Sequence, residues 1–402
     1  MEQKTGFSKG VILGAIMGGI FSAIAVIMVL EPGKTTNNRH SNEQATENGI
    51  ILQDTQKKME SIQSLIDKAY LYSDELEWNE LQKWLIKGYV QGLGDPYSVY
   101  YDEAETKSLM ESTSGEFGGI GVTLTQNIDT KIITFVNIYK ESPGAKAGFK
   151  EGDILYKVDG EDITGQDLDK VVSKIRGDKG SVVELTVYRG EKLEEYTNKA
   201  TRDIIQIHTV EYEMKEDDIG YILVSGFEEV TYQQFKDAIQ DLTKQGMEKM
   251  IVDLRNNPGG NLSTVCEMLD LILPKGTIVY TEDKRGNREV IESDDAKQMK
   301  LPMAVLINGN SASASEIFAG AVQDYEMGKL VGTTTYGKGI VQQIFSLGDG
   351  TSLKLTISEY FTPNGRNIHG IGIKPDIEVK YEYDETNPTK DNQLEAAIQS
   401  LK

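Results

Sequence analysis

Apolar residues are distributed in several distinct patterns along this chain. Residues 11–30 form an uninterrupted apolar run without charge, which as a helix would be about 30 Å long, enough to cross a bilayer once. Residues 31–50 are mostly polar with little periodicity and read as a linker. From 51 to 94 apolar side chains recur at helical spacing, as at Met59, Ile62, Leu65 and Ile66 and again at Leu81, Trp84 and Leu85. Two or three helices are expected there, ending at the breakers Gly92, Gly94 and Pro96. From about 116 short strand-like runs alternate with glycine turns around one helical stretch at 168–177. From 219 onward apolar strands (GYILVSGF, KMIVDL, MAVLIN, KLVGTT) alternate with helical patterns, the signature of an α/β layer architecture. After 380 the chain is acidic and polar, with a short helix expected at 393–401 and too few residues for another domain.

Charge sets the orientation and narrows the partners. Lys4, Lys9 and the terminal amine precede the apolar run and Glu31 follows it, so the positive-inside tendency leaves residues 1–10 in the cytoplasm and the body of the chain outside. A cleaved signal peptide is the rival reading, but the run exceeds an h-region and no A-x-A-like site follows. Gly10, Gly14, Gly18 and Ser22 form a small-residue stripe compatible with close helix pairing, though glycine is also simply frequent in membrane helices. The net charge of −21 would repel a phosphate backbone and argues against nucleic acid as a partner. The single cysteine, Cys266, excludes an intramolecular disulfide framework, and three histidines make a histidine-rich metal centre improbable. Neither a cofactor nor a metal is expected.

The candidate chemistry begins at residues 310–316, N-S-A-S-A-S-E, where an apolar strand stops and a helical pattern starts. Such a turn can present a serine hydroxyl, but serine needs a positioned base and donors for an oxyanion. Of the histidines, His40 falls in the linker, His208 at a domain junction and His369 in a glycine-rich loop, so only His369 is a candidate. A lysine can serve instead if its surroundings lower its pKa to about 7–8. Lys338, flanked by glycines in Y-G-K-G before a strand, fits that role.

Five segments, in order, carry a resemblance: L-G-D-P-Y-S-V-Y from 93, D-L-R-N-N-P-G-G from 253, S-A-S-A-S-E-I from 311, Y-G-K-G-I-V-Q from 336, and T-P-N-G-R-N-I from 362 followed by G-I-K-P-D. The chain resembles the carboxyl-terminal processing peptidases, the S41 family of Ser/Lys proteases. The stretch 116–200, with G-A-K-A-G-F-K-E-G-D-I-L-Y-K-V-D-G, resembles a PDZ domain. Following the membrane anchor read from the apolar run at 11–30 and the linker at 31–50, the resemblance implies an α/β and α+β multidomain protein: helical segment at 51–115, PDZ domain at 116–200, a ClpP/crotonase-like peptidase core at 201–380 and a tail at 381–402. It implies Ser313 as nucleophile, Lys338 as general base and Gln342 as the residue that orients the lysine. The oxyanion donors it implies are the amides of Gly259 and Ala314, the latter also favoured by its place at a helix start. In the PDZ domain, Gly118, Gly119, Ile120 and Gly121 would meet a peptide's C-terminal carboxylate while the peptide adds a strand to the sheet edge. Arg176 is placed to sense that peptide, to touch the neighbouring domain or to be solvated.

Ser311 and Ser315 read as capping or structural residues, Asp253 and Arg255 as supports for the N-N-P-G-G turn, Asp324 as structural and Cys266 as a core thiol. The function implied is a membrane-anchored serine endopeptidase acting outside the cytoplasm on proteins with exposed C-termini. The alternatives are a catalytically silent PDZ scaffold and a Ser/His hydrolase using His369. Homodimerisation through the N-terminal helices, the tail or the membrane stripe is compatible with the sequence, which does not choose among them.

Overall fold

A computed structural model describes residues 42–296, 298–387 and 390–402. The expected span at 11–30 and its cytoplasmic flank lie outside the described residues; among those described, no helix is long and apolar enough to cross a membrane. The chain divides into two compact units. One contains Ser108–Val341 and Ile357–Lys402; the other contains the described residues up to Lys107 together with Gln342–Thr356.

The stretch expected to be a peptidase core, in the first unit, is built on a six-stranded sheet in the order Val210–Lys215, Ile219–Val224, Lys249–Asp253, Met303–Ile307, Gly328–Gly332, Ile377–Glu378. Only the first pair is antiparallel. Parallel strands need crossovers that cover both faces, so their sequences are apolar at consecutive positions rather than at alternate ones. Met303–Ile307 is buried at every residue. Its odd positions, Met303, Val305 and Ile307, face the helices Glu229–Lys244, Leu262–Asp270 and Ala314–Asp324 in the main core. Its even positions, Ala304 and Leu306, join Ile219, Ile251 and Val331 on the opposite face against the C-terminal helix Asn392–Ser400. The acidic tail after 380 therefore supplies one of the two layers that cover the core sheet.

In the same unit, a separate sheet runs Val122–Gln126, Ile133–Ile138, Ile154–Val158, Val182–Arg189, Glu194–Thr201, with Val122–Gln126 at its edge. It closes over Phe135, Val171, Val183, Leu185 and Val187, and the helix Leu168–Ile175 lies beside the edge strand. This is the expected PDZ-type unit. Glu116–Gly119 stands apart from it, paired with Asp203–Gln206.

In the second unit the helix Asn42–Ala69 begins well before residue 51, inside the stretch expected to be linker. The reason lies in its composition: Glu, Gln and Ala favour helix without producing an apolar stripe, so periodicity misses them. The helix Trp78–Gln91 ends at Gly92 as expected. Val99–Tyr101 pairs with Ser352–Lys354, which places Tyr100 and Lys354 in this unit's buried interior.

Candidate active site

Ser313 lies where the buried strand Met303–Ile307 gives way to the helix Ala314–Asp324, itself buried from Ala314 through Val322. Its backbone is at φ 55°, ψ −112°, a conformation that costs a non-glycine residue about 1–3 kcal/mol. The residue is fully buried, and its Oγ takes part in no hydrogen bond. The flanking serines are spent on structure: Ser311 Oγ donates to the Leu254 carbonyl at 2.7 Å, and Ser315 Oγ donates to the Asn257 carbonyl at 2.9 Å. Of the three hydroxyls, only that of Ser313 is left unengaged.

The helix start is capped from within. Glu316 accepts the Ser313 N–H at 2.9 Å on Oε2, while the Glu316 N–H donates to the Ser313 carbonyl at 2.8 Å. The same Oε2 accepts the Lys338 N–H at 2.8 Å. Oε1 accepts the Gly337 N–H at 2.7 Å and the Thr335 hydroxyl at 2.5 Å. One fully buried carboxylate thus fixes the backbone of Ser313 and that of Lys338, satisfied by four donors as a buried charge must be. Tyr360 completes the enclosure by donating its hydroxyl to the Ser313 carbonyl at 3.1 Å. Burial, and secondarily the Glu316 charge, holds that phenol well above its usual pKa, so it stays a donor. Glu316 was not assigned by sequence reasoning, although Ser-x-x-Glu at a helix start is a recognisable signal for a carboxylate that reaches back.

Lys338 itself is 3% exposed. The glycines on either side let the loop after the strand Ser352–Phe361 pass close by. A Cβ at Gly337 would lie 2.9 Å from the Ile371 amide nitrogen, and one at Gly339 would lie 2.7 Å from that of His369. The His369 side chain is exposed, and it makes no hydrogen bond to Ser313. His208 is also exposed, edge-on to Tyr139. Gln342 belongs to the second unit, where its Nε2 donates to Thr356 Oγ1 at 3.3 Å and its fully buried Oε1 has no partner.

The N-N-P-G-G turn after Lys249–Asp253 is pinned to the serine turn, with Ala312 N–H donating to the Asn257 carbonyl at 3.1 Å. Gly259 adopts φ 106°, and a Cβ there would lie 2.9 Å from Ser313 Cβ and 3.0 Å from Ala314 N, so only glycine fits. Its N–H donates to Asn257 Oδ1 at 2.8 Å, an Asx-type turn, and is therefore engaged in this state. Asp253 and Arg255 form the expected support for the turn, in bonds of 2.6–3.1 Å. Asp324 likewise holds structure, accepting the Asn364 N–H at 2.8 Å and pairing with Arg366. Cys266 is a core thiol whose pKa burial, with a smaller effect from Glu267, pushes up to about 12.

Three family descriptions match the chain: peptidase family S41 over residues 218–379, PDZ domain over 134–189, and activating protease CtpB N-terminal domain over 11–106. A probable CtpA-like serine protease of Staphylococcus aureus (strain bovine RF122 / ET3-1) is 36% identical over 391 residues, covering 94% of this chain and 75% of the relative. The chain belongs to peptidase family S41. A probable CtpA-like serine protease of Staphylococcus epidermidis is 38% identical over 340 residues, covering 84% of this chain and 68% of its own length. Among solved structures, a photosystem II D1 C-terminal processing protease is 28% identical, with a TM-score of 0.46, over 79% of this chain and 84% of that one. The protein is a serine protease of family S41 with a PDZ domain.

In this S41 peptidase the four residues expected at the PDZ carboxylate loop are divided among different environments. Gly118 and Gly119 pair with Ile204 and Asp203, and the Gly118 backbone runs so close to the Gly177 carbonyl that a Cβ would fall 2.0 Å from it. Ile120 is 1% exposed, with its side chain in the PDZ core. Gly121 turns the chain at φ 70° into the edge strand Val122–Gln126. Arg176 stacks on Phe117 at 4.3 Å and pairs with Glu111 at 3.2 Å, so here it contacts the neighbouring helix Glu103–Ser114 and is not freely solvated.

Proposed function

We propose that this peptidase cleaves its substrates with Ser313 as nucleophile and Lys338 as general base, and that residues 11–30 anchor it to the membrane with its catalytic body outside the cytoplasm. The observation that supports the pairing most strongly is the Glu316 carboxylate, one oxygen of which accepts both the Ser313 and the Lys338 N–H, at 2.9 and 2.8 Å. The neutral Lys338 amine takes the Ser313 hydroxyl proton as Oγ bonds to the scissile carbonyl carbon, whose oxygen becomes the oxyanion. When the C–N bond breaks, the lysine ammonium returns that proton to the leaving amine. Water then attacks the acyl-enzyme, giving a proton to Lys338, and the new carboxyl product leaves with Ser313 restored. Gln342 orients the lysine amine. Ala314 N–H, at the positive end of its helix, and Gly259 N–H stabilise the oxyanion. Because Gly259 N–H is held by Asn257 Oδ1 and Ser313 is fully buried, substrate entry has to open this state.

Substrate C-termini are taken up by the PDZ domain, adding a strand to the edge at Val122–Gln126. Their occupancy shifts the balance between closed and open sites. The test is cleavage of an unfolded reporter with a free apolar C-terminus by full-length enzyme in membranes. Ser313→Ala is expected to abolish turnover and to retain bound substrates; persistent turnover would overturn the reading.

A further inference from the structure

We propose that the C-terminal helix Asn392–Ser400 is a positioning element for the oxyanion turn, acting through Asp391 and Gln393 on Arg255. The inference rests on the oxyanion role proposed above for Gly259. The turn that carries Gly259 leaves its strand at Asp253 and is held on one side by the serine turn, through Asn308, Ser311, Ala312 and Ser315. Its next residue after Arg255, Asn256, sits at φ 62°, so this stretch has to be fixed by its contacts. On the side of the C-terminal helix the grip comes from the Arg255 guanidinium.

All five guanidinium N–H donors can be assigned. Nε is shared between the two Asp253 oxygens at 3.0 and 3.1 Å. One terminal nitrogen donates to Asp253 Oδ2 at 2.6 Å and Asp391 Oδ2 at 2.7 Å, and the other to Asp391 Oδ1 and Gln393 Oε1, both at 3.0 Å. Two of the three acceptor residues therefore belong to the tail. Burial opposes the guanidinium charge, but the two carboxylates outweigh it and hold the cation above its ordinary pKa. The Asp391 carboxyl, although burial works against its charge, is held below its ordinary value by Arg255 and by the amides it caps. Asp391 does double duty: Oδ1 also accepts the Gln393 and Leu394 N–H groups and starts the helix. Gln393 is in turn locked, donating to the Val379 carbonyl at 2.7 Å. The helix is seated through Ala397, fully buried against the core sheet. Removing Asp391 leaves a largely enclosed arginine, its side chain 13% exposed, with one carboxylate and frees the turn it braces.

The experiment uses the full-length enzyme, with turnover normalised to active sites counted by complete fluorophosphonate labelling. Asp391→Ala is expected to lower kcat about tenfold with KM within about twofold, and to weaken a peptide boronic acid, which forms a tetrahedral Ser313 adduct, by the same factor. Asp391→Asn, which keeps the helix cap, is expected to recover part of both losses. A merely structural role would lower the count of active sites and leave kcat per site and boronate affinity unchanged, and that result overturns the proposal. Ser313→Ala, assayed alongside, separates the two readings: turnover persisting in that variant would remove the oxyanion assignment itself.

Discussion

Lys338, in the peptidase core, is 3% exposed, and Lys354, in the second unit, is fully buried. Lys354 projects from the strand Ser352–Phe361 with its Nζ 5.4 Å from the Tyr101 ring and without a hydrogen-bond partner. Burial lowers its pKa to about 8, opposed only by the Asp95 charge. By burial and basicity alone Lys354 would look like a general base. What distinguishes Lys338 is its surroundings, because its backbone shares a carboxylate oxygen with that of a strained, unengaged serine. A perturbed lysine marks a site only when a nucleophile and oxyanion donors are fixed with it.

The contrast breaks first at Glu316. Glu316→Gln keeps the shape but turns an amide NH2 toward N–H groups that need an acceptor, so either Ser313 or Lys338 loses its anchor. The expected result is a fall in kcat of about 100-fold with little change in KM, together with a stability loss of about 3 kcal/mol. Steady-state kinetics and denaturant unfolding read the two effects separately.

A smaller effect is expected at the PDZ domain, to which the proposed function gives the substrate's end and no part in the chemistry. Amidating the C-terminus of a peptide substrate should raise KM about tenfold while kcat stays near its value, since one charge-assisted contact is lost. Equal KM values for the free and amidated peptides would show that the edge strand does not receive the terminus.

The smallest effect on activity belongs to Lys354, whose role is confined to stability. Its folded-state pKa lies below the ordinary 10.5. Between about pH 8 and pH 10.5 the unfolded chain therefore binds more protons, and stability rises with pH through that window. Lys354→Met should leave turnover within about twofold and flatten that slope in thermal melts at pH 7.5 to 10. An unchanged slope would mean that the amine is charged in the folded protein.

How much of this was legible beforehand depends on the range of the interactions. The buried strands announced themselves as consecutive apolar positions, and the serine turn as small residues at a strand-to-helix junction, because both are local. The helix Asn42–Ala69 was partly hidden, since a polar helix start has no stripe to read. The bond from Arg255 to Asp391 spans 136 residues and leaves no periodic trace. The same holds for the hold of Glu316 on Lys338: its reach back to Ser313 follows a local pattern, while its reach forward depends on how the loop 333–339 returns. The occupied Gly259 amide is a property of one state of the turn, which residue types alone do not specify.

The central claim, that Lys338 and no histidine activates Ser313, is most directly tested by the rate at which a fluorophosphonate labels Ser313. The wild-type chain, Lys338→Ala and His369→Ala are compared across pH 6 to 10. The account predicts that Lys338→Ala slows labelling by about 1,000-fold while His369→Ala labels at nearly the wild-type rate. Wild-type labelling in the lysine variant, or its loss in the histidine variant, would contradict it.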